Sequence, residues 1–129
     1  MYTIKSMSGK VLIVEDEIAL SDVYKTLLDQ AGYDVRVAEN GEVALTVAEE
    51  FQPEMILLDL RMPVLDGIGF LEKYDLKNKH PDVKVVVFSN YDMQKEIDEA
   101  YSLGAERYLL KAWASPKELI ELVKTTLGK

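Results

Sequence analysis

Five short apolar runs, separated by segments of helical period, constrain the fold of this 129-residue chain more than any other feature. The runs are Val11-Leu12-Ile13-Val14, Val35-Arg36-Val37, Met55-Ile56-Leu57-Leu58, Val83 to Phe88 and Tyr108-Leu109-Leu110. The first, third and fourth are nearly continuous in Val, Ile and Leu, as strands covered on both faces of a parallel sheet are. Arg36 interrupts the second run and places that strand nearer an edge. Between the runs, Leu20, Val23, Tyr24, Leu27, Leu28 and Ala31 recur at steps of three and four, with Gly32 placed to end the helix. Ala44, Val47, Ala48 and Phe51 repeat the pattern after Asn40-Gly41, and Ile68, Leu71 and Tyr74 give a shorter helix starting near Asp66. Met93, Ile97, Ala100 and Tyr101 mark a fourth, with Asp92 as N-cap and Gly104 as terminator. Ser115-Pro116-Lys117-Glu118 is a capping box with Pro at the first helical position, opening a fifth helix through Leu119, Leu122, Val123 and Thr126. This alternation predicts one doubly wound α/β domain, a five-stranded parallel sheet with five helices. Residues 1–9 read as a poorly ordered leader and 10–129 as the domain. No linker or low-complexity tract interrupts it, and no separate output domain is expected.

The charge balance narrows the chemistry. A net charge of −8 argues against a nucleic-acid surface and suits a site that gathers carboxylates around a cation. Without cysteine, disulfides, zinc–thiolate sites and thiol catalysis are excluded. No apolar stretch approaches the roughly 20 residues of a membrane span, and the first ten residues lack the apolar core of a signal peptide. A cytoplasmic protein with no nucleic-acid and no membrane partner is expected.

Asp59 closes the third apolar run and opens Asp59-Leu60-Arg61-Met62-Pro63-Val64-Leu65-Asp66-Gly67. In a parallel sheet, side chains at the carboxyl ends of strands face the crevice where ligands bind. An aspartate there is available as a nucleophile or a metal ligand. Taken alone it reads first as a turn cap, but three other strands end in polar residues. The first ends in Glu15-Asp16-Glu17, the fourth in Phe88-Ser89-Asn90 and the fifth in Lys111. Asp16 alone would be a helix N-cap, and Lys111 alone would extend to solvent. Together they bring carboxylates, a hydroxyl and an ammonium to one rim. Clustered carboxylates need a compensating cation, and Mg²⁺ suits oxygen ligands. Such an assembly handles a phosphoryl group at Asp59.

From about Lys10 to Leu127 the sequence resembles the receiver domain of two-component response regulators. The likeness rests on Val-Leu-Ile-Val-Glu-Asp-Glu, Leu-Asp-Leu-Arg-Met-Pro-Val-Leu-Asp-Gly and Tyr-Leu-Leu-Lys, with Ser89 and Lys111 at matching spacings from Asp59. The resemblance implies a flavodoxin-like sheet of order 2-1-3-4-5, similar to single-domain chemotaxis regulators. It implies Asp59 as phospho-acceptor from a partner histidine, with Asp16, Glu15 and the Arg61 carbonyl joining Asp59 around Mg²⁺. Ser89 would bond the phosphoryl oxygen, Lys111 would pair with it, and Tyr108 would turn inward to remodel the fourth helix–fifth strand–fifth helix face. Implied partners are a sensor histidine kinase or histidine phosphotransfer protein and an unidentified downstream protein, with a homodimer on phosphorylation. The chain would promote only its own phosphoryl transfer and hydrolysis.

Departures from the pattern are Ala112 in place of Pro, so a trans bond after Lys111 is expected, Trp113 in place of Phe, and Asn90 in place of a small residue. Asn90, Tyr91 and Arg61 flank the approach of water and predict a long-lived phosphorylated form. Ile18 and Leu20 are candidate docking contacts, and His80, before Pro81, reads as a solvated loop residue. A receiver cut from a larger regulator is the alternative. An aspartyl-phosphate phosphatase is disfavoured because its second aspartate position holds Arg61. A flavin binder is disfavoured because Glu15-Asp16-Glu17 repels a phosphate. A pseudo-receiver is disfavoured because every chemical position is filled.

Overall fold

The computed structural model describes residues 9–89, 94–111 and 115–128. Five strands, β1 (Lys10–Val14), β2 (Asp34–Ala38), β3 (Met55–Leu58), β4 (Lys84–Ser89) and β5 (Arg107–Leu110), form one sheet of order β2-β1-β3-β4-β5. Every neighbouring pair is parallel. Five helices of eight residues or more connect and follow the strands: α1 (Ile18–Gln30), α2 (Gly41–Phe51), α3 (Gly67–Tyr74), α4 (Gln94–Ser102) and α5 (Pro116–Leu127). A four-residue helical turn, Leu76–Lys79, extends α3 and was not expected. As the interruption at Arg36 predicts, β2 is an edge strand, and Arg36 lays its guanidinium over the Phe51 ring at 4.9 Å.

Alternation along the strands builds two cores, one on each face. Leu12, Val14, Ile56, Leu58, Val85 and Val87 pack with Ala44, Ala48, Phe70, Leu71 and Ala100 of α2, α3 and α4. Val11, Ile13, Met55, Leu57, Val86 and Phe88 pack with Leu28 of α1 and Leu119, Leu122 and Val123 of α5. Each fully buried aliphatic side chain contributes about 1.5–3 kcal/mol. This two-sided cover is why the central strands read as unbroken apolar runs.

Local chemistry sets the helix ends. Asn40 Oδ1 accepts from Val43 N at 2.9 Å, and Asp66 Oδ1 accepts from Gly69 N at 2.8 Å. Ser115 and Glu118 form the expected reciprocal capping box. Gly32 and Gly104 have φ of 100° and 113°, a region L-residues avoid, and stop α1 and α4.

The α1 stripe differs from the sequence expectation. Ser21 and Leu28 are buried and Tyr24 is partly buried, whereas Val23 is 52% exposed. The face turned to the sheet runs Ser21, Tyr24, Leu28, and the Ser21 hydroxyl is satisfied by Ile18 O at 3.1 Å. His80 is a loop residue as expected, but it is only half-exposed. Its ring stacks on Tyr74 with centroids 4.0 Å apart and planes 5° apart. Ile18 is exposed and Leu20 half-buried. No helix among the described residues is long and apolar enough to cross a membrane. Residues 1–8 of the leader, Asn90, Tyr91, the Asp92 cap, Met93, Ala112 and its bond to Lys111, and Trp113 lie outside the described residues, whereas Gly9 is buried and its carbonyl accepts from Asp34 N at 3.0 Å.

Candidate functional site

The sheet register delivers the polar residues to one rim. Val14, Leu58, Val87 and Tyr108 stand level across β1, β3, β4 and β5. Glu15 and Asp59 each follow that line by one residue, Ser89 by two and Lys111 by three. Main-chain bonds from Glu15 N to Ala38 O and from Asp59 N to Val14 O, both 3.0 Å, keep the strand ends paired to the point where the carboxylates emerge. The loop after β3 then folds back tightly. Gly67 N donates to Leu60 O at 3.1 Å, and a Cβ on Gly67 would stand 2.6 Å from Asp59 O and 2.8 Å from Leu60 Cα. Both obstacles are backbone, so only glycine lets α3 begin this close to Asp59.

Glu15, Asp59 and Lys111 are 3%, 6% and 8% exposed. Buried charges persist only when paired, and here one ammonium serves two carboxylates. Lys111 Nζ donates to Glu15 Oε1 and, at 3.3 Å, to Asp59 Oδ2. Glu17 N donates to Glu15 Oε2 at 3.2 Å, and Arg61 N to Asp59 Oδ1 at 3.2 Å. Burial pushes the Glu15 carboxyl up to about 7, the Asp59 charge pushes the same way, and the Lys111 bond and charge pull it partly back. Burial pulls Lys111 down, but its bond to Glu15 and the charges of Asp59 and Glu15 outweigh that and leave it raised. Lys111 is therefore an ammonium at neutral pH.

Asp16 is exposed and stands beside this pair. Carboxylate oxygens of Glu15, Asp16 and Asp59 lie within 4.8 Å of one another. The residues fit a hard divalent cation: the donors are all oxygen, one is open to solvent, and a single ammonium leaves the cluster net negative. Asp16 is not a helix cap; Glu17 holds the N-cap position of α1 and makes no side-chain cap bond. The Asp16 carboxylate is thus left to the cluster.

Ser89 is 1% exposed at the end of β4, and Tyr108 is partly buried against the α2–α3–α4 core. Of the site residues expected from sequence, the structure joins Glu15, Asp16, Asp59 and Lys111 by side-chain proximity and Ser89 and Tyr108 by register. Arg61 enters through its main chain, while its guanidinium turns away to Glu96 at 2.9 Å. Two neighbours were missed. Tyr24 on α1 packs edge-on against Phe88 at 5.2 Å, and burial followed by the charges of Glu15, Glu17 and Asp59 pushes its hydroxyl up to about 12. Its place in the helical stripe marked it only as core. Glu96 carried no signal, because its partner lies 35 residues away.

Residues 11–124 match the response regulator receiver domain family. The chain is 33% identical over 120 residues to the probable transcriptional regulator ycf27 of Cyanophora paradoxa, covering 93% of this chain and 48% of that protein. It thus spans about half the length of the curated relatives it matches. A CheY-like receiver domain protein from Methanospirillum hungatei superposes with a TM-score of 0.86 at 28% identity, covering 94% of each chain. The receiver domain of the sensor histidine kinase PA1611 from Pseudomonas aeruginosa superposes with a TM-score of 0.81 at 25% identity, covering 95% of this chain and 99% of that one. Its structure holds a magnesium ion in the active-site cleft. Sheet order, rim and family match agree: the chain belongs to the receiver domains of two-component response regulators.

Proposed function

We propose that this receiver is a phosphorylation switch that accepts a phosphoryl group on Asp59 from a histidine of a sensor kinase or phosphotransfer protein. The observation that carries this reading is the buried Lys111 ammonium bonded at once to Glu15 and Asp59 at the mouth of the sheet. Asp59 Oδ attacks phosphorus, the P–N bond to the donor imidazole breaks, and the ring nitrogen leaves with the bonding pair. Lys111 is already within bonding distance of the carboxylate that becomes the acyl phosphate, so little reorganisation precedes the attack. Glu15, Asp16, Asp59 and the Arg61 carbonyl would hold Mg²⁺, which supplies neutralisation of phosphoryl charge when bound. The Ser89 hydroxyl donates to a phosphoryl oxygen, and Tyr108 moves inward behind it.

The outcome is a changed α4–β5–α5 face, read by a protein partner or by a second copy of the chain. The chain catalyses nothing beyond its own phosphorylation and hydrolysis. A second reading, the receiver of a longer transcriptional regulator, is favoured by the half-length match to ycf27 proteins. In that case the same face signals to a DNA-binding segment.

Hydrogen exchange with and without acetyl phosphate and Mg²⁺ tests the switch. Changed protection in α4 and β5 of the wild type, absent in Asp59→Asn, is expected. Identical exchange in both states overturns this output face.

A further inference from the structure

Arg61 follows Asp59 by two residues and is rooted beside it, since its N–H donates to Asp59 Oδ1. Its guanidinium extends the other way, and Nη2 donates to Glu96 Oε1 at 2.9 Å in the first turn of α4. The pair lines an open cleft of about 380 Å³ together with Leu60, Met62 and Asp66. With the main chain anchored at Asp59, turning this cation from α4 towards Asp59 takes side-chain rotation and no backbone movement.

The Arg61 side chain is 47% exposed and that of Glu96 25%, and an ion pair so open to water holds its partners loosely. A phosphoryl group on Asp59 would be a stronger competitor. It carries nearly two charges and three acceptor oxygens, and a guanidinium binds such a group through two parallel bonds. Lys111, the buried cation of the rim, is already shared between Glu15 and Asp59. Releasing Glu96 leaves no unpaired buried charge. Its carboxylate stays in the first turn of α4, where the helix dipole favours a negative group.

We infer that Arg61 has two alternative partners, Glu96 before phosphorylation and the phosphoryl group of Asp59 after it. The inference rests on the proposed phosphorylation of Asp59. The exchange has two consequences. The guanidinium covers the acyl phosphate against attacking water, and the loop after β3 loses its ion pair to α4. Glu96 is then a positioning residue that shortens the life of the phosphorylated state by competing for Arg61.

The test is the first-order rate of phosphoryl loss after loading with acetyl phosphate and Mg²⁺, for wild type, Glu96→Gln, Arg61→Gln, Arg61→Lys and the Arg61→Gln/Glu96→Gln double variant. Glu96→Gln is expected to slow the loss about two- to fivefold, the factor that an exposed ion pair of about 0.4–1 kcal/mol converts to. Arg61→Gln is expected to speed it, Arg61→Lys to fall between, and Glu96→Gln to add nothing once Arg61 is gone. An unchanged or faster loss in Glu96→Gln overturns the inference, as does a slowing that survives in the Arg61→Gln background. A wild type that takes up no phosphoryl group overturns the proposed function, and the exchange with it. Normal loading with lifetimes indifferent to Glu96 overturns the exchange alone.

Discussion

The Lys111 ammonium lies 3.3 Å from Asp59 Oδ2, although β5 and β3 are not neighbours and β4 runs between them. Lys111 sits just beyond the end of β5, so its long side chain crosses the end of β4 to reach the carboxylates. The resting site is thereby already neutralised in part, and under the proposed function the phosphoryl group would meet a cation already in place.

Removing that cation should cost stability first. Lys111→Met removes the ammonium that Glu15 and Asp59 share, and losing one side of a buried pair costs about 3–5 kcal/mol, less what Glu15 recovers by taking up a proton. Urea unfolding in metal-free buffer should show a loss near the lower end of that range, because Arg61 N and Glu17 N still bond the carboxylates. Adding Glu15→Gln should recover part of it. Equal stability of Lys111→Met and wild type would mean that the ammonium is not the compensating charge.

What the sequence made legible follows from distance along the chain. Asp59, Glu15 and Lys111 each end an apolar run, and a parallel sheet brings such ends together, so their meeting was readable from topology. The starts of α2 and α3 and the capping box of α5 were readable because the signals are local, donor and acceptor lying three residues apart. The facing of α1 was not, since Val23 and Ser21 differ only in which side of the helix meets the sheet. Packing decides that, and polarity misjudges it. Arg61–Glu96 and Tyr74–His80 were invisible for a related reason: they join side chains of separate segments whose encounter depends on loop shape.

The buried tyrosines predict the alkaline limit of the fold. Burial pushes the Tyr74 hydroxyl up to about 12, and burial together with Glu15, Glu17 and Asp59 does the same for Tyr24. The folded chain keeps protons that the unfolded chain gives up from about pH 10. The stability from these groups is therefore complete below pH 10 and lost as pH rises towards 12. Circular dichroism against pH should show unfolding in that window, with the midpoint moved upward in Tyr24→Phe and Tyr74→Phe. A midpoint indifferent to both substitutions would contradict this.

Val64 holds a local strain. Its φ is 71°, it is 74% exposed, and Leu65 N donates to Pro63 O across it at 2.8 Å, which is the rarer, strained form of γ-turn. A β-branched residue in this region costs about 1–2 kcal/mol. Val64→Gly or Val64→Asn should raise the urea midpoint, with the unfolding free energy gaining about 1 kcal/mol for Asn. A fall in stability for both would show that the Val64 side chain contributes packing that outweighs its backbone strain.

Whether Asp59 receives the phosphoryl group is decided by intact mass. After incubation with acetyl phosphate and Mg²⁺, the wild type should gain one phosphoryl mass and Asp59→Asn none. An adduct that persists in Asp59→Asn, or a wild type that gains none, would contradict the account.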